Sequence, residues 1–121
     1  MNKARGFIFS TAPSPLAAAA VRASLHMLQT QPERRQRLHD LIAFARTRLP
    51  VRDSQIVPYI IGEDARTMAI AGALQQRGFD VRGIRPPTVA KGTSRLRISL
   101  TLNVDEDAVR DLADAIEELM Q

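Results

Sequence analysis

Apolar and polar positions follow two rhythms along this chain. Period two governs residues 95–101, where Leu96, Ile98 and Leu100 fall on one side of a strand and Arg95 and Arg97 on the other. The whole stretch Ile84–Thr101, IRPPTVAKGTSRLRISLT, predicts a strand, a turn stiffened by Pro86-Pro87 and a second strand carrying both arginines. The helical period appears elsewhere. Val21, Leu25 and Leu28 line one stripe of an alanine-rich helix, with Ser14 as N-cap and Pro15 at its first position. Thr30-Gln31-Pro32-Glu33 reads as a capping box with a proline in the first turn. It opens a helix that buries Leu38, Leu41, Ile42, Ala45 and Leu49 and turns Arg34, Arg35 and Arg37 to water. A last helix, capped by Asn103 or Asp105, holds Val109, Leu112, Ala113, Ile116 and Leu119 inside.

Shorter signals complete the order. Gly6–Thr11 is a run of strand formers ahead of Pro13 and Pro15. Pro50 to Ser54 is a connector. Gln55–Ile61 is a β-branched strand whose Pro58 points to an edge or a bulge, and Gly62 closes it. Glu63–Arg77 predicts a helix with acids in its first turn and Arg77 in its last, matching the macrodipole, and Gly78 is a left-handed stop. Phe79–Arg85 is the strand that follows. Strand, helix, helix, strand, helix, strand, strand, helix implies an α+β fold: a small, mainly antiparallel three-stranded sheet with helices packed on it.

Composition narrows the class. A chain of 121 residues suffices for one domain with a core. The net charge of +4 invites a nucleic-acid reading, but 4% aromatic residues leave few stacking surfaces, and that reading is set aside. No apolar run nears the roughly 20 residues of a membrane span. MNKARGFIF turns apolar too briefly for a secretory signal. With no cysteine for disulfides, the expectation is a cytoplasmic protein.

Several chemistries drop out on residue types. His26 and His39 are the only histidines, and neither has a ligand at helical spacing. No serine sits in a G-x-S-x-G elbow and no phosphate-loop motif occurs. Ser10-Thr11 could hold an anion ahead of a helix start, or could simply end a strand and cap a helix. The acidic clusters Asp105–Asp107 and Glu117-Glu118 read as capping or solvated residues. Arg95 and Arg97 could grip a carboxylate, since a strand holds them rigidly and arginine binds carboxylates bidentately. From spacing alone, two surface arginines on a half-exposed strand is the simpler reading.

The wording of the chain adds a resemblance. GFIFSTAPSP, SQIVPYIIG, QQRGFDV, IRPPTV and GTSRLRISLT, in that order, resemble the C-terminal third of the α-oxoamine synthases. These are pyridoxal-phosphate enzymes of the aspartate-aminotransferase fold type that condense an amino acid with an acyl thioester and release CO₂. Within them the wording is most similar to the 8-amino-7-oxononanoate synthases, biotin-pathway acyltransferases acting on L-alanine and a pimeloyl thioester. The resemblance implies that Arg97 binds the substrate carboxylate and that Thr88 contacts substrate. It implies that Ser10 and Thr11 reach the cofactor phosphate or the substrate pocket of the neighbouring subunit in a homodimer, and that Arg95 supports its strand. Two departures touch substrate identity more than fold. Ala90 stands where the family often has proline, and Leu102-Asn103-Val104 stands where it often has Ala-Ala-His.

The same comparison implies a division into residues 1–30, leading from a large domain, and residues 31–121, the small domain. Lys3 and Lys91, the only lysines, lie outside the Ser-x-x-Lys context of the Schiff-base lysine. The expectation is therefore a C-terminal piece that has no catalytic residue or covalently held cofactor of its own and is inactive alone. Without its partner, Gly6–Leu28 is expected to be mobile or to pair with another copy. The rival is a free-standing α+β regulatory or interaction module binding a small anionic ligand. An in-frame Ser-x-x-Lys segment immediately 5′ of this reading frame favours the synthase; a stop codon there favours the module.

Overall fold

The computed structural model describes Ala12 and residues 14–52 and 54–121. The predicted strand at Gly6–Thr11 lies outside the described residues. The chain divides into two compact units, Met1–Glu33 and Arg34–Gln121.

In the first unit, helix α1 spans Pro15–Thr30 with proline in its first turn and Ser14 as N-cap. The Ser14 side chain makes no capping hydrogen bond, so the cap is positional only. None of the helix's residues is buried, and Leu16, Val21, Leu25 and Leu28 along it are exposed. The predicted capping box at Thr30 does not form. The Thr30 hydroxyl donates instead to the His26 carbonyl at 2.8 Å, as a residue of α1. Gln31, at φ −126°, ends that helix because the residue before a proline is pushed out of the helical region. Helix α2, Pro32–Ala45, then starts with proline at its first position, where no amide hydrogen is needed.

The second unit is built on a three-stranded sheet: β1 (Ile56–Gly62), β2 (Arg82–Ile84) and β3 (Ser94–Ser99). The spatial order is β1-β3-β2 and both pairings are antiparallel, as the sequence predicts. Pro58 is tolerated because β1 is an edge strand, and the register slips between Ile60 and Gly62 where Gly62 takes φ 99°. Helix α3 (Asp64–Gln76) packs on all three strands and on helix α4 (Glu106–Met120). Within this unit, α3 and α4 lie over the sheet face bearing Val57, Leu96 and Ile98, each at most 3% exposed. These join Leu41, Ile42, Ala45 and Leu49 from the α2 segment and Ile70, Leu74, Val109, Leu112 and Ile116 in one core. Each of the Val, Leu and Ile side chains contributes roughly 1.5–3 kcal/mol by leaving water.

Helix ends account for the differences from the predicted bounds. Glu63 is the N-cap of α3, its carboxylate accepting from the amides of Ala65 and Arg66. Arg77 is the C-cap instead of a last-turn residue. Gly78, at φ 93°, closes a Schellman motif: its amide donates to Gln75 and the Phe79 amide to Leu74. Phe79–Val81 is thereby spent on the helix stop and a tight turn from Val81 to Phe79, so β2 shrinks from the predicted Phe79–Arg85 to Arg82–Ile84. Pro86-Pro87 is a cis peptide. Strand β3 ends at Ser99, two residues short of its predicted end. Asp105, and not Asn103, caps α4 by accepting from the Ala108 amide.

Candidate functional site

Strand β3 is the central strand, so hydrogen-bonded ladders fix its backbone on both sides. Its alternation directs Arg95, Arg97 and Ser99 to the sheet face opposite the buried Leu96 and Ile98. Arg97 stands between Pro58 of β1 and Arg82 of β2, and Arg95 between Ile60 and Ile84. The two arginines differ in what they touch. Arg95 Nε donates to the Thr93 carbonyl at 2.9 Å, tying the guanidinium to the turn that feeds β3. That turn closes when the Thr93 amide and hydroxyl both donate to the Ala90 carbonyl, with Gly92 at φ 78° in the third position, as a type II turn requires. Arg97 is exposed and has no hydrogen-bond or ion-pair partner among the described residues.

Arg97 lines a groove of about 540 Å³ together with Asp80, Arg82, Ser99 and Asn103, floored by residues at the start of α4. Arg82 is engaged by Asp80 at 2.8 Å. A second groove, of about 690 Å³, runs along the β1 side and holds Arg95 with Arg48, Arg52 and Tyr59. Thr88 sits in the turn after β2, exposed, its amide donating to the Arg85 carbonyl at 3.1 Å. It does not line the groove that holds Arg97. Ser10 and Thr11 lie outside the described residues. His26 and His39 are exposed on α1 and α2.

Two interactions around the sheet escaped sequence reasoning. Ser94, fully buried at the start of the strand, donates to the Asp64 carboxylate at 2.5 Å, stapling β3 to the first turn of α3. No periodicity signals a bond between residues thirty apart. Asp80 beside Arg82 was legible only as an i,i+2 charge pair. Away from the groove, Arg77 clamps Glu118 of α4 at 2.6 and 3.1 Å. These hydrogen bonds and the guanidinium charge hold the Glu118 carboxyl below its usual range, and Arg77 is raised in turn, mainly by the same bonds.

Pyridoxal phosphate would need a lysine near an acid in a concave site. Among the described residues the only lysine is Lys91, exposed in the Ala90–Thr93 turn. The described residues therefore do not form a cradle for that cofactor. Among them, no group of three potential metal ligands occurs and no helix is long and apolar enough to cross a membrane.

The antiparallel three-stranded sheet with helices packed on it is a small α+β layer, and the solved structures that share it are fold-type I pyridoxal-phosphate enzymes. Residues 1–116 match the aminotransferase class I and II family, and the chain belongs to it. Its curated relatives include an 8-amino-7-oxononanoate synthase of Anaeromyxobacter dehalogenans (strain 2CP-C), 44% identical over 99% of this chain and 32% of the relative. That of Saccharophagus degradans is 41% identical over 98% of this chain and 32% of the relative. The chain thus spans about a third of the length of the curated relatives it matches. Among solved structures, the 8-amino-7-oxononanoate synthase of Francisella tularensis shares the fold at a TM-score of 0.76 and 23% identity, over 94% of this chain and 35% of that one. A serine palmitoyltransferase variant from S. paucimobilis with a bound pyridoxal phosphate–myriocin adduct reaches 0.78 at 25% identity, over 95% and 31%.

Proposed function

We propose that this chain is the C-terminal small domain of a pyridoxal-phosphate-dependent acyltransferase of the 8-amino-7-oxononanoate synthase kind. Residues 1–30 would lead from a large domain and residues 31–121 form the small one. The full-length enzyme would be a cytoplasmic homodimer condensing L-alanine with a pimeloyl thioester in biotin biosynthesis. Pyridoxal phosphate, when bound, supplies an electron sink for the amino acid's α-carbon. Its Schiff-base lysine comes from outside this chain, because Lys3 and Lys91 both fall in segments that match other parts of the family pattern. The chain alone is then inactive. Turnover together with a borohydride-trapped lysine adduct, from this chain and pyridoxal phosphate, would overturn that.

The part assigned to this chain is positioning. Arg97 binds the amino-acid carboxylate and sets the orientation of the bond to be broken. Thr88 contacts substrate, and Ser10 and Thr11 serve the cofactor phosphate or the pocket of the neighbouring subunit. The observation that carries the reading is the isolated guanidinium of Arg97 on a central strand. A carboxylate can take both its donors without displacing an internal ion pair, and the strand does not reorganise to present them.

The test is Arg97→Ala in the full-length enzyme. A lost charge-assisted contact of about 1.5–3 kcal/mol weakens the L-alanine dissociation constant by roughly 10- to 150-fold. A cofactor-absorbance titration reads that constant directly. An unchanged value would remove Arg97 from the site.

A further inference from the structure

The groove that holds Arg97 contains a second arginine that no role above uses. Arg82 is the direct cross-strand partner of Arg97 in the antiparallel register, on the same face of the sheet. Two like charges directly opposite repel each other, so the pair calls for a counter-charge. Asp80 supplies it, its carboxylate 2.8 Å from the Arg82 guanidinium, and it lines the same groove. Asp80 is brought there by the Schellman stop of α3 and the tight Val81–Phe79 turn, which fold the chain back immediately before β2. The groove therefore holds two guanidiniums and one carboxylate, and of the two arginines only Arg97 is left unpaired.

We infer that Asp80 is a specificity-determining residue: by occupying Arg82 it leaves the groove one carboxylate-binding position and so favours monocarboxylate amino acids over dicarboxylates. The inference rests on the reading of Arg97 as the carboxylate anchor. An amino acid with a second carboxylate would place it within reach of the neighbouring strand, where Arg82 is the natural partner. That partner is already engaged, and the Asp80 charge repels the incoming group. The Arg82 and Asp80 side chains are 62% and 79% exposed, so the pair is not part of the core and can be altered without loss of the fold.

The experiment titrates L-alanine and L-aspartate against the cofactor absorbance of the full-length enzyme carrying this segment. Asp80→Asn frees Arg82 while keeping the side-chain shape. The aspartate-to-alanine affinity ratio should rise about tenfold, the effect of one added charge-assisted contact. Adding Arg82→Ala to Asp80→Asn should return the ratio to that of the unaltered enzyme. A ratio within about twofold of the unaltered enzyme in Asp80→Asn, with Arg97→Ala still weakening alanine binding at least about tenfold, overturns this inference and leaves the anchor reading standing. A raised ratio that persists after Arg82→Ala also overturns it, because the gain then does not run through Arg82. Alanine binding untouched by Arg97→Ala overturns both.

Discussion

Replacing Ser94 by alanine tests how the strand that presents Arg97 is held. Ser94 is fully buried, and its hydroxyl donates to the half-buried Asp64 carboxylate at 2.5 Å. A hydrogen bond to a charged acceptor contributes about 1.5–3 kcal/mol. Water can reach the vacated carboxylate, because Asp64 keeps some exposure, and this draws the expected cost down to about 1–2 kcal/mol. Asp64 also lies in the first turn of α3, where its charge favours the helix by about 0.3–1 kcal/mol regardless of Ser94. A double-mutant cycle with Ser94→Ala and Asp64→Ala separates the two effects. Urea unfolding of all four variants should show a coupling energy of about 1–2 kcal/mol with unchanged denaturant slopes. Thermal midpoints should fall by about 4–8 °C per kcal/mol. Coupling below about 0.5 kcal/mol, the scatter of independent sites, would refute the staple between β3 and α3.

Gly83 lies so close to α3 that an added Cβ would sit 2.8 Å from Met68 Sδ and 3.4 Å from Ala71 Cβ. Gly83→Val should destabilise by about 1–3 kcal/mol, and Met68→Ala should relieve part of that; chemical denaturation measures both, and no relief would exclude the clash. The depressed carboxyl of Glu118 makes its bond to Arg77 acid-sensitive. The contribution is present above the usual glutamate pKa and is lost as pH falls through the lowered one, so the stability gap between the unaltered chain and Glu118→Gln should close in acid. A gap independent of pH would show that the clamp does not act through charge.

Strand and helix identities were legible because their causes are local. The alternation of Leu96 and Ile98 against Arg95 and Arg97 is a backbone property, and the observed burial follows it residue by residue. Pro58 announced an edge strand because it cannot donate to a ladder, and β1 is an edge. Gly78 announced a left-handed stop because a side chain is strained there. The misread boundaries were competitions between neighbouring signals. Thr30 could cap the next helix or continue its own, and Pro32 settled it by ending α1 at Gln31. Phe79–Val81 has strand composition, but the helix stop claimed its backbone donors first.

The candidate site divides along the same line. By itself, the sequence determined that two arginines share one face of a strand, since period two follows from tetrahedral Cα geometry and needs no partner. Only tertiary structure decided which of them is free. Arg95 is drawn to the Thr93 carbonyl by a local turn, and Arg97 is left open because β1 offers it a proline and β2 an arginine already held by Asp80. Those neighbours come from segments that lie far from β3 along the chain, and strand register is a property of the assembled sheet. The hydrophobic pattern could specify which face Arg97 takes; it could not specify who stands beside it.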